Sequence, residues 1–254
     1  MTSVSKDDYH IETVDVQGSP MEVFIFQPTG ELPRAGLLLC QHLPVAHAGI
    51  ETDPYQLDTA ARFASAGYAV VLPFMFHWWG KSVDMQTKRD EWRDDRAVAD
   101  MNAGLAVLRG LPAVDAGRLG IVGHCWGGRM AWLGAATNPA YRACAVFYGG
   151  RIKQAMGAGT PPPIDLARDM RCALAGFFGN EDQNPTPADV NDYEAALKAA
   201  AVHYTFHRYD GAGHGFQTFT DAERYHQQAS DDAWDKVLRF FDDTLGQPVA
   251  AAGT

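Results

Sequence analysis

Apolar positions along the chain alternate between two periods. Short runs rich in apolar, β-branched and aromatic residues occupy 10–16, 21–27, 36–40, 68–73, 119–123, 143–148, 173–178 and 203–209, and each predicts a strand. Longer amphipathic stretches at 55–65, 93–109, 126–136, 188–201 and 221–244 predict helices between most of them. In 93–109, Ala97, Met101, Leu105 and Leu108 recur at helical spacing, and Asp94 and Asp95 sit where a helix N-terminus favours negative charge. Leu37, Leu38 and Leu39, like Val70, Val71 and Leu72, form unbroken apolar runs, the pattern of parallel strands covered on both faces. No helix separates the first two strand segments. Gly18, Ser19 and Pro20 lie between them and predict an antiparallel hairpin. The whole predicts an α/β protein: a three-layer α/β/α sandwich with a mostly parallel sheet and an N-terminal antiparallel hairpin. Residues 1–254 read as a single domain, with a frayed small-residue tail at 249–254. Functional groups in such folds collect beyond the carboxyl ends of the strands, so the strand exits are where chemistry is expected.

Composition narrows the partners. Of the 254 residues, 46% are apolar and 20% charged, enough to build a sizeable core and too apolar for a disordered chain. The net charge of −10 repels phosphate backbones and anionic membranes, so neither nucleic acid nor membrane is an expected partner. No apolar run approaches the roughly 20 residues of a membrane span, and the first ten residues lack the apolar stretch of a secretory signal. Cys40, Cys125, Cys144 and Cys172 match no metal-ligand spacing and are too sparse for a disulfide framework, which points to a reducing, cytoplasmic setting. His42, His47 and His77 come without a helical His-x-x-x-His pattern or a carboxylate cluster, so no metal is expected.

Two long segments interrupt the alternation. Residues 74–88 carry Phe76, His77, Trp78, Trp79 and Lys81, and residues 149–168 carry Gly157, Gly159 and three consecutive prolines. Loops of this length are often lids or pocket walls, and an adjacent tryptophan pair left in solvent would be adhesive. Phe76, His77, Trp78 and Trp79 are therefore expected to line a substrate pocket.

The most informative segment is Gly123-His124-Cys125-Trp126-Gly127, which follows an apolar strand and opens a helical pattern. It has the spacing of a nucleophile elbow with cysteine in the serine position. Glycines flanking the sharp turn relieve its crowding, and the thiol stands at a helix N-terminus, where thiolate is favoured. The Trp126 N–H is then placed to face an oxyanion. Cys40, Cys144 and Cys172 fall in or at the edge of strands and read as inert core thiols. His124 is expected to pack or hydrogen-bond rather than react. A nucleophilic cysteine needs a base and an orienting acid, which in this chain order follow as acid and then histidine. Glu181 and Asp182 follow the strand at 173–178, and the shorter Asp182 fits the Gly-x-x-Asp spacing; His214 stands in the glycine-rich loop after the last strand.

These segments resemble the dienelactone hydrolase family of the α/β-hydrolase superfamily. The resemblance runs from about residue 23 to about 245. It rests on Gly123-His124-Cys125-Trp126-Gly127-Gly128, the 179–182 acid loop and Ala212-Gly213-His214-Gly215-Phe216. It implies hydrolysis of a carboxylic ester or lactone through an acyl-cysteine. Cys125 would be the nucleophile, His214 the base and acid, Asp182 its orienter, and the backbone N–H groups of Leu43 and Trp126 the oxyanion hole. It implies a small-molecule substrate, no cofactor, and a monomer or weak homodimer.

Three positions mark the chain as a divergent member. His42 stands where the family has a glutamate, and is expected either to hydrogen-bond the thiol or the substrate or to fill the glutamate's volume. The family's two substrate-binding arginines correspond to the 74–78 segment and Thr218, so a different, less polar or aromatic substrate is expected. Lys81, Arg129 and Arg151 are the cations that could substitute. The triad of Cys125, His214 and Asp182 could also serve an acyltransferase, and the three departures leave room for an inactive binding module.

Overall fold

The two unbroken apolar runs lie side by side in the middle of a single sheet. The computed structural model describes residues 3–28 and 33–246, so the expected frayed tail lies outside the described residues. Eight strands, β1 (Tyr9–Val16), β2 (Ser19–Phe26), β3 (Arg34–Cys40), β4 (Ala69–Pro73), β5 (Val114–His124), β6 (Ala143–Phe147), β7 (Ala173–Gly179) and β8 (Tyr204–Tyr209), are ordered β1-β2-β4-β3-β5-β6-β7-β8. β1 pairs antiparallel with β2, and β2 antiparallel with β4; every other pairing is parallel. The predicted hairpin is thus present, with Ser19 and Pro20 already inside β2. β3, β4 and β6 are buried along their whole length, as their continuous apolar character requires.

The described residues form six α-helices: α1 (Pro54–Ser65), α2 (Met85–Asp90), α3 (Asp94–Gly110), α4 (Trp126–Thr137), α5 (Pro187–Ala199) and α6 (Gln227–Leu245). α1 and α6 share one face, where Phe63 meets Trp234 and Phe241. α3, α4 and α5 cover the other, where Trp132 of α4 meets Tyr193 of α5. Start signals act as capping chemistry dictates. Asp53 accepts from the Gln56 N–H at the head of α1, and Thr186 and Asp189 form a reciprocal capping box on α5.

Some boundaries differ from the sequence reading. α2 begins inside the 74–88 segment read as loop and ends at Asp90, beyond it; it is six residues long and capped by Asp84. α6 starts at Gln227 rather than 221, because residues 221–225 form turns and His226 caps the helix by accepting from the Ala229 N–H. Among the described residues no helix is long and apolar enough to cross a membrane, and no group of three or more His, Cys, Asp or Glu could hold a metal ion.

Candidate active site

β5 turns into α4 at one residue, and the turn dictates what can surround it. Cys125 takes φ +56° and ψ −118°, a strained conformation for a residue with a side chain. A Cβ at Gly123 would lie 2.0 Å from the Gly127 carbonyl oxygen, and one at Gly127 would lie 2.2 Å from the Cys40 carbonyl oxygen. Both neighbours are backbone and cannot swing away, so only glycine fits at either side of Cys125. The Cys125 N–H donates to Phe147 O of β6, which pins the turn to the adjacent strand.

Two further strand exits deliver the polar partners. After β7, Asp182 is buried, its Oδ1 accepting from the Asn184 N–H at 2.7 Å and its Oδ2 meeting His214 Nδ1 at 3.0 Å. That bond leaves Nε2 free, and His214 lines the same pocket as Cys125. Glu181, the competing acid, is exposed beside it. Burial lowers the affinity of His214 for a proton, but its bonds to Asp182 and to Cys125 prevail and lift it to about 10. Burial also pushes the Cys125 thiol up; the hydrogen bond and charge of His214, with the backbone N–H groups of Trp126 and Leu43, outweigh it and hold the thiol below its ordinary value. The pair therefore favours imidazolium facing thiolate, with two amides aimed at the sulfur. Such an arrangement can attack a carbonyl carbon and stabilise the oxygen that becomes negative.

The other thiols are not poised. Cys40 and Cys144 are fully buried with their thiols driven up by desolvation, and burial lifts Cys172 to about 12. His124 is buried and stacked on Phe147 at 4.3 Å, and its Nε2 lies 2.9 Å from Gln217 Oε1. Desolvation pushes it down to about 3, so it is neutral at physiological pH.

The pocket above Cys125 has a volume of about 360 Å³ and is lined by Leu43, His47, Trp126, Asn184 and His214 together with Arg89, Arg151 and Arg224. Its lining brings three arginines together and no carboxylate. Phe76, His77, Trp78 and Trp79 are not among its lining residues. They buttress it from behind instead. Phe76 and Trp79 pack on Trp92 at 4.9 and 6.3 Å, and Trp92 meets the Trp126 ring edge-on at 5.1 Å. His77 Nε2 and Trp78 Nε1 both reach the buried Asp100, at 2.9 and 3.0 Å, and His77 Nδ1 meets Ser19 Oγ at 2.9 Å. Every polar end in this run has a protein partner; the His77 side chain is buried, and Trp78 and Trp79 are half-buried.

His42 is also diverted. Its Nε2 is 2.8 Å from Asp53 Oδ2, its ring packs on Tyr55, and it does not line the pocket. Of the three cations considered from sequence, Lys81 pairs with Glu51 on the surface. Arg129 is buried in a two-pronged bond to Asp94, at 2.6 and 2.8 Å, and also donates to the carbonyls of Arg151 and Gln154. It ties the loop after β6 to α3. Only Arg151 faces the pocket. Arg89 and Arg224 carried no motif that could single them out, since they reach it from α2 and from the loop before α6.

The profile of the "Dienelactone hydrolase family" matches residues 21–245. The chain belongs to the dienelactone hydrolase family. Membership makes it a carboxylic ester or lactone hydrolase with the α/β-hydrolase fold. A relative from Methylorubrum extorquens named "Putative carboxymethylenebutenolidase" is 27% identical over 238 residues, covering 90% of this chain and 78% of that protein. A Bradyrhizobium relative named "Probable 2-oxo-3-(5-oxofuran-2-ylidene)propanoate lactonase" is 30% identical over 235 residues, covering 89% and 90%. Among solved structures, a "Putative Dienelactone Hydrolase" from Klebsiella pneumoniae superposes with a TM-score of 0.78 at 26% identity, covering 92% of this chain and 98% of that one.

Proposed function

We propose that this hydrolase cleaves a small ester or lactone carrying an anionic group, through an acyl-cysteine on Cys125. The observation that carries the reading is that Cys125, His214, Leu43 and Trp126 line one pocket, with the His214 ring held by the buried Asp182. The Cys125 thiolate adds to the substrate carbonyl carbon, and the electron pair moves to the oxygen, which the two amides receive. As the carbon–oxygen bond to the alcohol breaks, the imidazolium proton of His214 passes to the departing oxygen. Neutral His214 then takes a proton from water, whose oxygen attacks the thioester. Collapse releases the carboxylic acid and returns the sulfur as thiolate beside imidazolium. Asp182 holds the ring in the tautomer that points Nε2 at the sulfur and stabilises its charge.

Selection falls to the guanidinium groups. Among the described residues, the Arg89 and Arg151 guanidinium groups form no hydrogen bond or ion pair with another side chain, while Arg224 pairs with Asp221 at its own loop. Planar, permanently charged donors of this kind match a carboxylate. The pocket's volume is that of a small-molecule site, and its charge favours acidic over neutral substrates. The test is a panel of acidic lactones and neutral aryl esters assayed with wild type and with Cys125→Ala. The reading expects kcat/KM for the acidic lactones to lead by at least about tenfold, roughly 1.4 kcal/mol, and Cys125→Ala to abolish turnover of both. A lead for the neutral esters overturns the anionic selection. Full turnover by Cys125→Ala overturns the acyl-cysteine.

A further inference from the structure

Lys88 is fully buried, although lysine is almost never found so without an ionic partner. Among the described residues no carboxylate lies within ion-pairing distance. Its Nζ donates instead to the carbonyl oxygens of Ala46 at 2.6 Å and Lys81 at 3.1 Å. Burial pushes its ammonium below the ordinary lysine value, with Asp84 acting in opposition. Nothing in the hydrolytic cycle uses this group, yet one of its two partners belongs to the site. Ala46 closes the single 3-10 turn Leu43–Ala46, and Leu43 opens it. The N–H aimed at the Cys125 sulfur and the carbonyl held by Lys88 are thus the two ends of one rigid turn.

The other side of this turn has its own anchor. The His42 N–H donates to Gln56 Oε1 of α1 at 2.9 Å, just before Leu43. The turn is held from α1 through Gln56 and from α2 through Lys88. No hydrogen bond of its own backbone satisfies the Ala46 carbonyl, since the Gly49 N–H goes to Val45 and the His47 N–H goes to Pro44. Removing the ammonium would leave that oxygen buried and unpaired, and the turn would move to rehydrate it.

We propose that Lys88 is a positioning residue for the oxyanion hole, its buried ammonium fixing the Ala46 carbonyl so that the Leu43 N–H stays directed at the Cys125 sulfur. The proposal rests on the acyl-cysteine reading. It gives α2 two duties from adjacent residues, since Arg89 lines the pocket while Lys88 holds the turn beneath it.

The test uses Lys88→Met, which keeps the apolar stem and removes the donors, and Lys88→Gln, which retains an amide donor on a shorter stem. Val237→Ala, in α6 on the opposite face, serves as a control for general loss of stability. Two readouts are taken on each purified protein. One is turnover of a neutral aryl ester, which has no need of Arg89. The other is the pH profile of Cys125 alkylation by iodoacetamide, which requires no turnover. Small misplacements of a catalytic group can cost up to about 100-fold. Lys88→Met is expected to lower kcat by about tenfold or more with KM within about twofold, and to shift the alkylation profile to higher pH. Lys88→Gln should fall between it and wild type, and it carries the test if the methionine variant does not fold. Val237→Ala should lower Tm and leave both readouts unchanged. Lysine variants whose kcat and alkylation profile match those of Val237→Ala at comparable Tm overturn the proposal. Wild type with neither ester turnover nor a fast-alkylating thiol would overturn the acyl-cysteine reading itself, a separate result.

Discussion

Replacing His214 with alanine removes both the hydrogen bond and the positive charge that hold the Cys125 thiol below its ordinary value. Burial, the largest influence and one that raises the thiol, is then opposed only by the Trp126 and Leu43 amides. The sign follows directly. In wild type the thiolate persists down to the depressed Cys125 value, and His214, lifted to about 10, remains protonated beside it through neutral pH. In the variant the thiol returns at least to the ordinary value near 8.5, where only about 3% is ionised at pH 7. The wild-type sulfur, held below that value, should therefore be alkylated about tenfold or more faster than the variant. The assay is the rate of iodoacetamide labelling across the pH range, read by intact-protein mass, with a thermal melt to show that the variant is folded. Labelling of His214→Ala within about threefold of wild type, with an unshifted profile, would refute the ion pair and the reasoning built on it.

Three other substitutions probe separate parts of the account. Gly127→Ala drives a methyl group into the Cys40 and Gln41 carbonyls, and should cost about 3 kcal/mol or more in a denaturant melt, if the protein accumulates at all. Arg129→Met leaves Asp94 buried without its charge partner and should cost about 3–5 kcal/mol by the same measurement, although Arg129 lies outside the pocket. Arg151→Met should raise KM for an acidic lactone by about tenfold while leaving a neutral ester within about twofold, as steady-state kinetics would show.

Why some of this was legible in the sequence and some was not has physical reasons. Segments whose function is burial announce themselves, so the Leu37–Leu39 and Val70–Leu72 runs are legible as strands covered on both faces. The elbow was legible because a strand can turn into a helix around a side chain only with glycines on either side. β5 was underestimated at its start, since Asp115, Gly117 and Arg118 carry no apolar alternation, although Val114 already pairs with Arg34. α2 escaped because it is too short for periodicity to register and because its one buried residue is Lys88. The role of the aromatic run at 76–79 is not legible in sequence, because a pocket wall and a packed brace call for the same side chains. Only the partners Asp100, Glu91 and Trp92, remote or unmarked in sequence, tell them apart. The arginines could not be foreseen together, because their nearness is created by the arrangement of three separate connections.

The most direct test of the central claim is the mass of the protein during turnover of a slow ester. Rapid quenching and peptide mapping should find the acyl group of the substrate on Cys125, appearing before the acid product and decaying with it, and absent from Cys125→Ser treated alike. Complete turnover with no mass added at residue 125 at any time, or an acyl group placed on another side chain, would contradict it.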